Sequence, residues 1–268
     1  MANCEVTIGL PVFNGVEYIS DAVDSILTQS YGNFTLVISD NCSDDGTYEI
    51  CRRYAEVDSR IILHRQPTNI GAVENYKFTL SKCNTPYFMW AAHDDMRSLH
   101  DLQYMREAIC EKDAVVFGSY IESNYGKNLT PNEYSKNELN KFFVDSFHTG
   151  KNHYIYGLFH SDVLMKSDLS LLNHSAPDSI YLLSLLRMGD FRCIKGPVFK
   201  YRVVPYSLGW QYAKAKGHFR SLIAPYPLDY YLRSSEIIGH KSHGAKFYYW
   251  FSAYFHVQFG RLIRLLRK

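Results

Sequence analysis

The chain has no Cys-x-x-Cys pair and no His/Cys spacing of a zinc site. Its six cysteines stand scattered at positions 4, 42, 51, 83, 110 and 193. Thiols without a pairing pattern read as the reduced side chains of a cytosolic protein, not as a disulfide framework or a metal knuckle. No G-x-G-x-x-G follows the first apolar run, which disfavours a dinucleotide-dependent dehydrogenase. No G-x-x-x-x-G-K-[ST] occurs either, which disfavours a P-loop nucleotide hydrolase. A G-x-S-x-G nucleophile elbow is missing as well. No apolar run reaches the ~20 residues that span a bilayer. The N-terminus passes straight into Val6-Thr7-Ile8 without a basic-then-apolar leader, so secretion is not expected. Strong net charge is absent too, at +2 for 268 residues. The basic excess sits at one end: from Ile237 onward come Lys241, Lys246, Arg261, Arg264, Arg267 and Lys268 with no acid, while the rest of the chain is slightly acidic. Basic charge confined to one tail is not a nucleic-acid-binding profile.

What is present is an alternation. The 46% hydrophobic composition suffices for one large domain, or one domain with an appendage. Residues 6–12 read as a strand. Ile19, Ala22, Val23, Ile26 and Leu27 then recur at helical spacing. Strands are expected over 34–39, 61–63, 87–91 and 115–120, and helices over 47–57, 72–82 and 99–111. Asp44 or Asp45 is available to cap the second helix. Repeated β-α units of this kind predict a single Rossmann-like, doubly wound, mostly parallel sheet. After about residue 123 the pattern changes. Residues 124–140 are polar and loop-like, Ile180, Leu183 and Leu186 mark a further helix, and 199–203 is a strand candidate.

Chemistry is suggested where strands end. The apolar run from Tyr87 stops abruptly at His93-Asp94-Asp95. Two adjacent carboxylates at the carboxyl end of a buried strand lie where α/β sheets bind ligands. Their mutual repulsion makes sense beside a cation, and hard oxygen ligands suit Mg²⁺ or Mn²⁺ with a phosphate completing the shell. The alternative is a solvated acidic turn that opens the next helix. Asp40 ends the second strand; it can accept hydrogen bonds from a base imide or a ribose hydroxyl, or cap the following turn. After the third strand, Asn69-Ile70-Gly71 leads into a helix N-terminus, and Gly71 allows close approach to an anionic group. Pro11-Val12-Phe13-Asn14-Gly15 after the first strand offers a stiff turn and one flat ring, and on its own reads as an ordinary strand-to-helix turn.

The last segment differs again. From residue 245 a helical wheel puts Phe247, Trp250, Phe251, Tyr254, Phe255, Phe259, Leu262 and Leu266 on one face and Lys246, Tyr249, Ser252, His256, Arg264 and Arg267 on the other. A cationic, aromatic amphipathic helix fits the headgroup plane of an anionic membrane. Its uncharged stretch, 247–260, is only ~21 Å long as a helix, too short to cross. The alternative is packing against its own domain or a second subunit.

Taken in order, Pro11-Val12-Phe13-Asn14, Ser25 to Tyr31, Ser39-Asp40-Asn41 to Thr47, Asn69-Ile70-Gly71 to Asn75, and His93-Asp94-Asp95 resemble the family 2 inverting glycosyltransferases. The resemblance continues more weakly through Ile155 to Phe159, Ala176-Pro177-Asp178 and Tyr201-Arg202. It implies the A-type glycosyltransferase fold with a C-terminal amphipathic helical extension. It divides the chain into a nucleotide-sugar-binding half (1–120), an acceptor-binding half of the same domain (121–235) and a basic amphipathic C-terminal helix (236–268). The implied reaction is a metal-dependent, inverting transfer from a nucleotide-diphospho-sugar, a UDP-sugar in the first instance. The implied acceptor is a glycan or lipid-linked saccharide, in surface-polysaccharide assembly. Carried over, Asp40 binds the base, Pro11 and Phe13 flank it and Asn14 lies beside it. Asn69, Gly71 and Asn75 join the nucleotide-sugar site. Asp94 faces the ribose and diphosphate, Asp95 holds Mn²⁺ or Mg²⁺, and Asp178 is the general base. For Asp178 the alternative is a helix N-cap. The tail from 245 to 268 implies peripheral contact with the inner face of the plasma membrane, and no nucleic-acid partner is expected. The family usually has an acid where this chain has His93, and often a histidine where it has Val204. The competing readings are a retaining transferase on the same fold, and a non-catalytic nucleotide-sugar-binding or membrane-docking module.

Overall fold

The computed structural model describes residues 4–122, 128–129, 131–139, 141–142, 153–173, 177–202 and 236–239. The expected tail helix at 245–268 and Val204 lie outside the described residues. Among those described, no helix is long and apolar enough to cross a membrane.

The chain divides into two compact units. The first comprises Met1–Glu133, His153–Ser167 and Gly189–Val203. Its elements are β1 (Val6–Val12), α1 (Ile19–Leu27), β2 (Phe34–Asp40), α2 (Thr47–Val57), β3 (Ile61–Arg65), α3 (Ala72–Ser81), β4 (Tyr87–Trp90), β5 (Met96–Arg97), α4 (Asp101–Ala108), β6 (Asp113–Glu122), β7 (Asn128–Leu129), β8 (Leu158–His160), α5 (Ser161–Met165) and β9 (Asp190–Tyr201). The second comprises Tyr134–Asn152, Asp168–Met188 and Val204–Lys268. Within it, α6 (Pro177–Leu186) packs against the 3-10 helix Leu169–Asn173.

The nine strands among the described residues form one sheet in the order β3-β2-β1-β4-β8-β6-β9-β5, with β7 alongside β6. The segment β3-β2-β1-β4 is parallel throughout, as the sequence predicts. Beyond it the expectation of a doubly wound, mostly parallel sheet needs correction. β8 runs antiparallel to both β4 and β6, β9 returns parallel to β6, and β5 is antiparallel to β9. The sheet is mixed. Just before β8 the chain passes close against β6 at Gly157, where a Cβ would stand 2.5 Å from Val115 Cγ2 and 2.6 Å from the Val116 carbonyl. Only glycine admits β8 so close to β6.

β1 is an interior strand between β2 and β4, and every residue in it is buried. A strand covered on both faces reads as a near-continuous apolar run. Val6, Ile8, Leu10 and Val12 join one core with Ile19, Val23 and Ile26 of α1. Each such Ile or Leu removed from water contributes roughly 1.5–3 kcal/mol. On the other face, a Cβ on Gly9 would lie 2.7 Å from Thr79 Oγ1, so α3 sits flush on the sheet. Pro11 is tolerated in this interior strand because of where its missing N–H would point. Gly9 O accepts from Ala91 and Val12 O from Asn41, which puts position 11 on the β4 side, after β1–β4 pairing has ended at Gly9 opposite Trp90. A ladder hydrogen bond is not lost there.

Candidate functional site

Because β3, β2, β1 and β4 are parallel, their carboxyl ends meet at one edge of the first unit. Val12 is in register with Asp40, and Asp40 with Arg65. The loops that follow are tied to one another. The Asn14 N–H donates to Ser43 Oγ at 2.9 Å, and the Asp44 N–H donates to Asn14 Oδ1 at 3.1 Å. The Gly15 N–H reaches Thr47 Oγ1 at 2.9 Å and the Val16 N–H reaches Asp45 Oδ2 at 3.0 Å. Asn14 adopts φ 50°, the left-handed region that asparagine tolerates better than most residues. The N-cap of α2 is Gly46, with φ 99° and no side-chain cap, and not Asp44 or Asp45 as expected; Asp45, one residue earlier, accepts the Thr47 N–H with its Oδ1 at 2.9 Å. Phe13 is left 44% exposed beside this clasp, while Pro11 is buried.

Asp40 is fully buried. Its Oδ2 accepts the Ser43 N–H at 3.2 Å and faces Arg65 Nε at 3.6 Å, and its Oδ1 has no hydrogen-bond partner. Next to it, Asn41 holds the loop after β3. Asn41 Nδ2 donates to Asn69 Oδ1 at 3.0 Å, and Asn41 Oδ1 accepts the Ile70 N–H at 2.8 Å. Asn69 and Gly71 are exposed there, and Gly71 has φ 85° with open space around it. Asn75 is placed differently. It is buried on α3, donating to the Ser39 carbonyl at 2.9 Å and accepting from Ser39 Oγ at 2.6 Å. Its amide fastens α3 to β2.

After β4 the ring of His93 packs on Gly15, where a Cβ would stand 2.5 Å from His93 Cδ2. The side chain in place of the family's acid therefore bridges the first and fourth strand ends. Asp94 is half-buried, while Asp95 is only 5% exposed. Asp95 Oδ1 accepts the Arg202 N–H at 2.8 Å, and its Oδ2 is buried without a partner. Burial, and then the charge of Asp94, push the Asp95 carboxyl up to about 8; the Arg202 N–H and the charges of Arg97 and Arg202 pull the other way without cancelling this. The Arg202 guanidinium lies 4.6 Å over the Tyr18 ring and pairs with Asp21 at 3.1 Å.

An orphaned, desolvated carboxylate oxygen beside a second carboxylate suits a hard cation. No group of three His, Cys, Asp or Glu side chains that could hold a metal occurs among the described residues. A cation held here would draw its protein oxygen from Asp95, with the charge of Asp94 beside it, and ligand oxygens and water would supply the rest.

Asp178 belongs to the second unit, on the first turn of α6 behind Pro177. It lies inside the helix and does not cap it, with proline ahead of it in the favoured opening position. The residue is open to solvent, yet the protein mass around it desolvates the carboxyl and pushes it up to about 6. The buried face behind it is almost wholly apolar, from Ile180 through Leu186.

Two arginines, Arg65 and Arg97, were given no role by the sequence, and a third, Arg202, was noted only as part of Tyr201-Arg202. Arg65 pairs with Asp40. Arg97 is buried, donating to Asp101 at 2.7 Å and to the Tyr156 carbonyl at 2.7 Å. Arg202 holds Asp95 through its main chain. Only Arg202 had a signal, its Tyr-Arg doublet, and a main-chain contact cannot be read from a side chain.

A family model described as Glycosyl transferase family 2 matches residues 7–167. The putative teichuronic acid biosynthesis glycosyltransferase TuaG of Bacillus subtilis is 31% identical over 107 residues, covering 40% of this chain and 42% of that protein. Glycosyltransferase GlyG of Streptococcus pneumoniae is 27% identical over 124 residues, covering 46% and 40% respectively. The matched stretch spans less than half the length of either relative. Among solved structures, the mannosyltransferase PcManGT from Pyrobaculum calidifontis in complex with GDP-Man and Mn²⁺ superposes with a TM-score of 0.61 at 18% identity, covering 94% of this chain and 70% of that one. S. aureus TarS 1-349 in complex with UDP gives 0.60 at 16% identity, covering 90% and 68%. At such identities the likeness establishes a shared fold.

Proposed function

The chain belongs to glycosyl transferase family 2, and on that premise we propose that it moves a sugar from a nucleotide-diphospho-sugar to a hydroxyl of a saccharide or lipid-linked saccharide, with inversion at the anomeric carbon. One observation carries the reading: Asp95 Oδ2 is buried without a donor beside Asp94, at the strand edge where Asp40 also ends. The complexes named for the two solved relatives, with GDP-Man and Mn²⁺ and with UDP, support a nucleotide-sugar donor.

In this reading Asp40 receives the base, Pro11 and Phe13 flank it, and Asn14 lies beside it. Asn69 and Gly71 shape the adjoining loop, and Asn75 supports it from α3. Asp94 faces the ribose and diphosphate. Mn²⁺ or Mg²⁺ bound at Asp95 supplies Lewis-acid neutralisation of charge on the departing diphosphate. Asp178 takes the proton of the acceptor hydroxyl as that oxygen bonds to the anomeric carbon. The carbon–oxygen bond to phosphate breaks, and its electron pair leaves with the nucleoside diphosphate. A carboxyl near 6 is matched to this task, because it is ionised at neutral pH and still basic.

The teichuronic acid assignment of TuaG supports a surface-polysaccharide acceptor. The cationic, aromatic tail supports work at the inner face of the plasma membrane. Liposome flotation tests that part: loss of binding on deleting 245–268 is expected, and equal behaviour of both forms counts against it.

The reaction is tested by incubating the protein with Mn²⁺, UDP-sugars and saccharide acceptors and assigning the product by NMR. An α-linked donor should yield a β-linked product; an α-linked product moves the reading to a retaining transferase. His93 in place of an acid favours a second reading, a non-catalytic donor-binding module. Nucleotide-sugar bound but neither transferred nor hydrolysed is its signature.

A further inference from the structure

Asp40 has one oxygen committed and one spare. Oδ2 takes the Ser43 N–H and faces Arg65, whereas Oδ1 is buried and unpartnered. A desolvated acceptor left unsatisfied is costly, so a ligand N–H that reaches it is strongly favoured.

Arg65 decides which oxygen is spare. It closes β3, directly opposite Asp40 in the register. Its Nε faces Asp40 Oδ2, and its Nη2 donates to the Ser43 carbonyl at 3.1 Å. The guanidinium carbon lies 4.3 Å from the centroid of the Tyr48 ring, over its face. The side chain is 43% exposed, and an arginine so placed ordinarily contributes little through a simple surface pair. Here three attachments, one of them to a ring, hold the fork in a single orientation.

We propose that Arg65, seated on Tyr48, is a positioning residue that turns Asp40 so that one oxygen alone remains to accept a ring N–H of the donor's base, which selects a uracil- or thymine-type base. This rests on the donor-site reading above. The selection follows from counting donors. Uracil and thymine present a single imide N–H to one acceptor. Cytosine presents a bare ring nitrogen, an acceptor against an acceptor. Guanine presents N1–H and an amino N–H side by side, which ask for both carboxylate oxygens. A site built around one polar group rejects the analogue that leaves it unpaired far better than an apolar pocket can.

The experiment is calorimetric titration of the full chain with UDP, CDP and GDP in the presence of Mn²⁺, for the wild type and for Arg65→Met, Arg65→Lys and Tyr48→Leu. The wild type should bind UDP about 10-fold or more tighter than CDP or GDP, the worth of one buried hydrogen bond. In Arg65→Met that preference should shrink to within about 3-fold, by loss of UDP affinity, while binding of inorganic pyrophosphate with Mn²⁺ is unchanged. Tyr48→Leu, which removes the platform and leaves the charge, should move the ratio the same way. Arg65→Lys should keep part of it. An unaltered UDP preference in both Arg65→Met and Tyr48→Leu overturns the proposal, as does a wild type that prefers GDP or CDP. If the wild type binds no nucleoside diphosphate at all, the donor-site reading itself falls, and the proposal with it.

Discussion

Asp95 and Arg202 meet across 107 positions of sequence: the Arg202 main-chain N–H donates to Asp95 Oδ1 at 2.8 Å. The contact joins the loop after β4 to the end of β9. It fixes one carboxylate oxygen and leaves the other buried without a protein donor. The same pattern recurs at Asp40, where Ser43 and Arg65 take one oxygen and the second is spare. Two half-satisfied carboxylates at one sheet edge are expensive to the fold, and such groups persist where a ligand completes them.

The contact of His93 with Gly15 yields the first prediction. In Gly15→Ala the new Cβ would meet His93 Cδ2 at 2.5 Å and Val12 Cγ2 at 3.0 Å. The ring must move, and Asp94 and Asp95 follow it in sequence. We expect a loss of about 1–3 kcal/mol in stability and about 10-fold weaker binding of UDP with Mn²⁺. Gly15→Ala combined with His93→Ala should recover most of both. Unchanged melting and affinity in the single variant would show that the ring does not set the loop.

Arg97 and Asp101 form a buried ion pair at 2.7 Å, with side chains almost wholly out of water. Removing one partner strands the other, which typically costs about 3–5 kcal/mol. Asp101→Ala should lose that much in urea denaturation. Arg97→Met with Asp101→Leu should lose clearly less, because no charge is then left alone. Equal losses in the single and double variants would contradict the argument.

Asp178 yields a pH dependence with a definite sign. Desolvation holds its carboxyl up near 6, above the ordinary aspartate range. A general base works only when ionised, so kcat/KM should fall about tenfold per pH unit below 6 and level off above it. For stability the sign is opposite: the contribution from a raised carboxyl is present at low pH and lost as pH rises through about 6. Asp178→Asn should therefore melt higher relative to wild type at pH 8 than at pH 4. Its turnover should drop about 10²–10⁴-fold with nucleotide affinity nearly intact. Full turnover in Asp178→Asn removes the assignment.

The parallel half of the sheet was legible because its signals are local. The runs 6–12 and 34–39 are rich in Val, Ile and Leu, and each is followed by helical spacing. β5 and β8 left no trace, since a strand of two or three residues is created by its partners: Met96 by Lys200, Leu158 by Met89 and Val116. β9 was expected from 199 and begins at Asp190. Arg192, Lys195 and Gly196 hide it, for its place is set by the ladder to β6 and not by its own composition. The carboxylates of the site announced themselves by standing where apolar runs stop. Their partners did not, because Arg65 lies 25 residues from Asp40 and nothing near Arg65 distinguishes it from a surface arginine.

The most direct test is calorimetric titration of UDP into the wild type and Asp95→Ala, each with and without Mn²⁺. Tight wild-type binding that requires the metal, and its loss in Asp95→Ala, is the predicted result. Binding that is indifferent to Mn²⁺ in the wild type, or retained with its metal dependence in Asp95→Ala, would contradict the account.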